Sequence, residues 1–258
     1  MNNDFDYYDR QTLSEKLDNA GYDLKYRKVM KSTMNFSFKR KGRRPLLVLA
    51  DHQTNGRGRC NNYWNDEENK SILATIVERD SFINKMPVNL LSHLLALQIC
   101  LALKKIAKSQ EIKIKWPNDI MLSGKKVGGI LIERNGNATL LGFGINVYKN
   151  RVADSAYLMG KNIKFNRQTI LLDIINRWHK LKEEFKSGLF QNKLHHYEKL
   201  WRNNSFILNK RIFMSLKDFV IIGVVRESLL GGNITVESDN NMISISESDY
   251  VPGSCVIK

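Results

Sequence analysis

Cysteine is scarce in this chain. Cys60, Cys100 and Cys255 are odd in number and far apart, without a Cys-x-x-Cys pair or a histidine at ligand spacing, which excludes a disulfide framework and a zinc site. Only four prolines occur in 258 residues, and with 16 glycines and no biased tract there is no place for a long linker or a disordered arm. No stretch approaches the roughly 18 apolar residues of a membrane span, and residues 1–10 are polar and acidic, without the apolar centre of a leader. A soluble protein of the reducing cytoplasm, with no membrane partner, is the expectation.

What is present is ordinary globular composition, 42% hydrophobic and 26% charged, enough for a large core or two domains. The balance is basic: 41 Lys and Arg against 26 Asp and Glu give a formal charge of +15. Such a surface attracts polyanions, acidic proteins or phosphorylated ligands. The cations are spread along the whole chain with no dense basic tail, which argues against a nucleic-acid arm. An A/T-rich coding bias toward Lys would have the same effect on the count.

The periodicity predicts a short amphipathic helix over residues 9–20, with Leu13 and Leu17 at i, i+4, a capping-box-like Thr12-Leu13-Ser14-Glu15, and a stop at Gly21. A strand over 22–29 follows, then Ser32 and Thr33, whose hydroxyls suit the cap of a helix through Phe36 and Phe38. Residues 46–50 are an apolar run that reads as a buried strand, and 71–77 alternate as the next. The strongest helix is predicted over 87–108, where His93 reads as a core imidazole. Residues 112–122 read as a strand interrupted at Trp116-Pro117, paired through a Ser123-Gly124 turn with a strand over 125–133. A third strand covers 138–147. Helical spacing returns over 170–185 and 190–201, the second holding His195-His196, a surface pair without carboxylate or cysteine partners. From 206 onward short strands at 206–208, 211–214, 220–225, 233–237, 242–245 and 255–257 recur roughly every 8–12 residues and suggest a small β-barrel. The expected domains are therefore 1–205 and 206–258.

Three stretches carry chemistry. Gly56-Arg57-Gly58-Arg59, followed by Trp64, frees the backbone to approach a ligand and supplies two guanidinium forks for phosphate or carboxylate. Taken alone, this loop would equally suit an RNA-contacting segment. The second is Lys115-Trp116-Pro117-Asn118-Asp119 with Lys126-Val127-Gly128-Gly129-Ile130-Leu131-Ile132-Glu133. The third is Gly142-Phe143-Gly144-Ile145-Asn146-Val147, and glycines inside neighbouring strands mark a close approach to the backbone.

In this order and spacing the three stretches resemble the biotin protein ligases, and the likeness runs from Lys31 onward. The resemblance implies an α+β fold: a class II aminoacyl-tRNA synthetase-like catalytic domain with a mixed sheet and an SH3-like C-terminal barrel. It implies two half-reactions. Biotin and ATP give biotinyl-5′-adenylate and pyrophosphate, and the biotinyl group then passes to a specific lysine of a biotin carboxyl carrier protein, that of acetyl-CoA carboxylase. Biotin and ATP are thus substrates, with Mg²⁺ held by phosphate oxygens and water rather than by a protein site.

By the same resemblance, Ser32, Thr33, Gln53, Gly56, Arg57, Gly129 and Ile130 bind biotin, and Arg59, Trp64, Lys126 and Asn146 bind the nucleotide. Arg57, Arg59 and Lys126 neutralise the reacting carboxylate and α-phosphate, Asp119 faces the acceptor lysine, and Lys115 is a second basic group of the site. Biotin's carboxylate is already ionised at neutral pH, so the first step needs positioning and fixed positive charge rather than a base. The second step needs a neutral amine from a lysine whose reference pKa is about 10.4.

Three departures from the family pattern stand out. Met34 replaces the asparagine of Ser-Thr-Asn, Cys60-Asn61-Asn62 replace further Arg and Gly, and the C-terminal signature reads Gly253-Ser254-Cys255-Val256-Ile257-Lys258. Only about 30 residues precede the likeness, so a ligase without operator-DNA binding is expected, as monomer or homodimer. Two other readings remain, a lipoate protein ligase and a nucleic-acid-binding module.

Overall fold

The computed structural model describes residues 8–35, 44–107, 111–150, 155–158 and 166–257. The helix expected through Phe36 and Phe38 falls on residues 36–43, outside the described residues.

Helix α1 (Arg10–Asn19) is capped by Asp9, which accepts from the amides of Gln11 and Thr12 at 3.1 and 3.2 Å, so the cap lies three residues ahead of Thr12. Strands β1 (Asp23–Met30) and β2 (Leu46–Gln53) lead to a short ladder, β3 (Gly56–Arg57) with β4 (Tyr63–Trp64), and then to β5 (Ser71–Glu78). One turn of helix, α2 (Ser81–Lys85), precedes α3 (Val88–Ala107). The hairpin strands β6 (Ile112–Lys115) and β7 (Asp119–Leu122) are followed by β8 (Lys125–Asn135) and β9 (Ala138–Asn146). Helices α4 (Arg167–Lys186) and α5 (Leu189–Asn204) complete the larger part.

A seven-stranded mixed sheet runs β1-β2-β5-β9-β8-β7-β6, parallel between β1 and β2 and antiparallel elsewhere. The expected single strand over 112–122 is in fact two, because Ile112–Lys115 fold back on Asp119–Leu122 about the Trp116-Pro117-Asn118 turn. Proline cannot donate to a ladder, which is why pairing breaks there.

Helices cover one face. Leu47 and Leu49, Ile72, Ala74 and Ile76, and Leu141, Phe143 and Ile145 point into a core with α3 and α4. Thirteen of the twenty residues of α3 are buried, including Leu91, Leu94, Leu95 and Leu103. Each such leucine stabilises the fold by about 1.5–3 kcal/mol relative to exposure. Helix α3 is also long and apolar enough to cross a membrane, yet most of it is enclosed by protein. The opposite sheet face carries a smaller cluster, Met34, Leu46, Val48, Val77, Ala138 and Leu140. Along β9 that face continues from Ala138 and Leu140 into Gly142 and Gly144, where the side chains stop and an opening begins.

The C-terminal part is a five-stranded antiparallel sheet ordered β13-β12-β11-β10-β14. Its strands are β10 (Arg211–Ser215), β11 (Val220–Ser228), β12 (Ile234–Ser238), β13 (Asn241–Ile245) and β14 (Val256–Ile257). Residues 206–208, expected as a strand, form bends and a turn instead, with Phe206 N donating to Ile114 O at 2.7 Å. The turn of Gly231 and Gly232 seats this sheet on α3. Asn89 donates to Gly231 O at 2.5 Å, and a Cβ on Gly231 would lie 2.7 Å from Leu90 Cδ1.

Candidate active site

Ser32, Thr33, Gln53, Arg57, Arg59, Trp64, Asp119, Lys126, Gly129 and Ile130 all line one cavity of about 260 Å³ on the open sheet face, a volume suited to one small molecule. Met34, Asn62, Tyr63, Leu131, Gly142 and Gly144 complete its walls, together with Tyr250, Pro252 and Gly253 from the C-terminal part.

The glycines now have a physical account. A Cβ on Gly144 would fall inside the Trp64 indole, one on Gly142 would strike Met34 Sδ, and one on Gly129 would crowd Lys126 and Trp64 at 3.3 Å. What approaches the backbone of these strands is the protein's own Trp64, Met34 and Lys126, laid flat on a floor of main chain.

Neutral polar groups line part of the wall. Gln53 Oε1 accepts from Thr33 N at 2.6 Å and Thr33 Oγ1 at 3.1 Å, and Thr75 Oγ1 donates to Thr33 Oγ1 at 2.9 Å. The Thr33 amide can only donate, so it fixes the Gln53 oxygen and leaves the amide nitrogen as a donor beside Gly56. Gly56 itself stands next to the cavity, pinned by the carbonyl of Trp64. Asp66 ties the loop ends together: it is 2.9 Å from His52 Nδ1 and accepts from Gln53 N at 3.4 Å, and burial pushes its carboxyl up.

The three cations each stand against a carboxylate. Lys126 Nζ lies 2.6 Å from Asp119 Oδ1, Arg57 pairs with Glu133, and Arg59 lies 3.1 Å from Glu247. A bulge between Ile120 and Met121 inserts one residue into β8, so Lys126 and Gly129 come to one face although three positions apart. Arg59 Nη1 also reaches Asn118 Oδ1 at 3.4 Å. Asn118 mainly secures the hairpin, donating to Ile130 O at 2.7 Å and accepting from Ile130 N at 3.0 Å.

The loop tail that departs from the family pattern folds as one tight turn over Arg59–Asn61, with Cys60 and Asn61 left-handed at φ 50° and 62°. Gly58 N donates to Asn62 O at 2.7 Å and closes it.

Three expected site residues lie outside the cavity lining: Gly56, beside it, and Lys115 and Asn146. Lys115 donates to Cys255 O at 2.6 Å, joining the hairpin to the C-terminal part. Asn146 is buried, its side-chain oxygen accepting from Ser71 Oγ at 3.2 Å. His93 is buried as expected, stacked on Trp201 at 4.1 Å with its Nδ1 accepting from Gly231 N at 2.8 Å. The sequence reading missed Glu133, Glu247, Tyr250, Pro252 and Gly253. Nothing in local spacing signals the last four, which come from more than a hundred residues downstream.

Comparison with known proteins finds one family. Residues 26–150 match the biotin/lipoate A/B protein ligase family. The match covers just under half of the chain. The bifunctional ligase/repressor BirA of Bacillus subtilis is 33% identical over 141 residues, 51% of this chain and 42% of that protein. The biotin–[acetyl-CoA-carboxylase] ligase of Mycobacterium tuberculosis is 31% identical over 107 residues, 40% of this chain and 39% of its own. The chain thus spans less than two thirds of the length of these relatives. In fold it is similar to the biotin protein ligase of Aquifex aeolicus in complex with biotin and ATP, with TM-score 0.72 and 21% identity over 91% of this chain and 98% of that one. The α+β fold with a large mixed sheet and a small C-terminal antiparallel sheet is the one that the sequence led us to expect.

Proposed function

We propose that the protein is an ATP-dependent biotin ligase of the cytoplasm, forming biotinyl-5′-AMP and transferring biotin to a lysine of a biotin carboxyl carrier protein. The observation that carries this reading is what one cavity brings together: neutral donors and acceptors at Gln53 and Thr33, a main-chain floor at Gly129, Gly142 and Gly144, and the cations Arg57, Arg59 and Lys126. A ureido ring suits the neutral groups, an aliphatic chain the floor, and a carboxylate beside an α-phosphate the cations.

In the first step the carboxylate oxygen attacks the α-phosphorus and the bond to the β-phosphate bridging oxygen breaks, releasing pyrophosphate. Arg57, Arg59 and Lys126 hold the two anions together, which is the main barrier. In the second step a neutral lysine amine attacks the acyl carbon, AMP leaves with the bonding electrons, and Asp119 takes up the proton. The phosphate draws Lys126 toward itself and frees Asp119 for the amine. Among the described residues no group of three His, Cys, Asp or Glu stands together, and Asp119, Glu133 and Glu247 are each engaged by a cation. These residues do not form a resident Mg²⁺ site, and no step is assigned to one.

The carrier is expected to be acidic around its lysine, since the chain's +15 charge would speed that encounter. The test supplies ATP with biotin or with lipoate and follows pyrophosphate release, then adds a carrier domain and follows acylation at rising ionic strength. Turnover with lipoate alone would overturn the biotin assignment, and a transfer rate indifferent to salt would remove the electrostatic part.

A further inference from the structure

Arg59 is held from two sides, and one side is not part of the large sheet. Its Nη1 reaches Asn118 Oδ1 at 3.4 Å on the β6–β7 turn and Glu247 Oε2 at 3.1 Å on the turn that follows β13. The other oxygen of Glu247 lies 3.2 Å from His93 Nε2. Because the Gly231 amide donates to His93 Nδ1 at 2.8 Å, that nitrogen carries no proton, and the ring's hydrogen is on Nε2, facing Glu247. Trp201 fixes the imidazole plane at 13° and 4.1 Å, and its own Nε1 donates to Ser228 Oγ at 3.1 Å. Glu247 therefore stands between two groups, one oxygen paired with the Gly-Arg loop through Arg59 and the other lying against a rigid group of α3 without a formed hydrogen bond. Nε and Nη2 of Arg59 remain for a ligand, and a guanidinium fork supplies those donors in one plane.

The geometry points to Glu247 as a positioning residue: it clamps the Gly-Arg loop to the C-terminal sheet through Arg59 and so sets how long the acyl-adenylate intermediate is retained. This rests on the ligase reading above. Tyr250, Pro252 and Gly253, a few residues further along the same segment, line the cavity wall. The clamp and the wall thus move together, and loosening one opens the other. Glu247 touches neither substrate nor reacting atoms, so its removal should leave bond formation possible and change escape of the intermediate. His93, neutral and enclosed, gives the clamp its fixed end.

The experiment forms the adenylate on the full chain with ATP and biotin, removes free nucleotide by rapid desalting, and times release of the intermediate before any carrier is added. It compares wild type, Glu247→Gln, Glu247→Asp, Arg59→Gln and the Glu247→Gln/Arg59→Gln double variant, with a thermal melt of each. Glu247→Gln should release the adenylate about tenfold faster, the scale of one charge-assisted hydrogen bond, at an unchanged melting temperature. Glu247→Asp should recover part of the retention, and the double variant should match Arg59→Gln alone, because the two residues act through one contact. Wild-type release by Glu247→Gln, or additive effects in the double variant, would overturn the clamp. A wild-type chain that forms no adenylate from biotin would instead overturn the ligase reading on which it depends.

Discussion

Lys126 Nζ lies 2.6 Å from Asp119 Oδ1, so the two residues expected to serve opposite half-reactions are joined by one ion pair. An anion arriving at Lys126 must share it with Asp119, and the share it takes loosens the carboxylate for the second step. The two side chains should then separate by kinetics although they touch. Lys126→Ala should lower adenylate synthesis by roughly 10²–10³-fold. Asp119→Asn should still make adenylate but slow its consumption by a carrier lysine by about 10²-fold. Quenched-flow measurement of each step alone checks this, and equal losses in both steps for both variants would contradict it.

The two glycines of β9 should respond differently to the same added methyl group. At Gly142 the nearest obstacle is Met34 Sδ, near the end of a flexible side chain that can turn away, with Leu131 O at 3.2 Å behind it, whereas at Gly144 it is the Trp64 indole, set in the β3–β4 ladder. Gly144→Ala should therefore weaken biotin binding by about tenfold or more and Gly142→Ala by much less. Titration calorimetry of both variants checks the order, and the reverse order would mean that Trp64 is the more yielding wall.

Gly231 is needed twice over, at φ +69° and with Leu90 pressed against the position of a Cβ. Gly231→Ala should cost about 2–3 kcal/mol, through strain and displacement of the turn that docks on α3. Urea unfolding measures it, and an unchanged midpoint would show that the turn can shift freely.

Burial holds the His93 imidazole below its ordinary value, outweighing Glu247, which favours the charged ring, while Arg59 disfavours it further. On acidification the unfolded chain binds a proton at this residue before the folded chain does. The stability contributed by the neutral ring is thus present above the ordinary imidazole range and lost as pH falls through it, until the folded ring also protonates. Urea melts between about pH 7.5 and about pH 5.5 should show a steeper decline for wild type than for His93→Gln. Identical slopes would remove His93 as the source.

Much of this molecule was legible in the chain because periodicity and local contact coincide. The alternation in residues 71–77 and 138–147 and the leucine spacing of α3 report burial directly, and the structure has those elements within two residues of the expected bounds. The Trp116-Pro117 break was visible, but its meaning as a reversal was not, since a proline gap looks alike in a bent strand and in a hairpin. Residues 206–208 failed for a related reason: an apolar triplet is buried in a turn as readily as in a strand. The cavity's floor and cations followed from glycine and arginine placement on neighbouring strands. Lys115 and Asn146 have the expected residue type but spend their polar groups on Cys255 O and Ser71 Oγ, a choice made by tertiary packing. Glu247 was invisible for the same cause, being brought to Arg59 only when the second sheet docks on α3.

The floor of the cavity is main chain, exposed by Gly129, Gly142 and Gly144, and main chain cannot be tuned by substitution in the way a side-chain wall can. Almost any replacement there fills space already taken by Trp64, Met34 or Lys126. Divergence in ligand choice among chains of this kind must therefore be written on the side chains around that floor, and Met34, where the family pattern has asparagine, is already one such change. A library confined to Met34, Leu131 and Tyr63 would explore new ligands while leaving Arg57, Arg59 and Lys126 intact, whereas one that included the glycines would mostly yield closed sites.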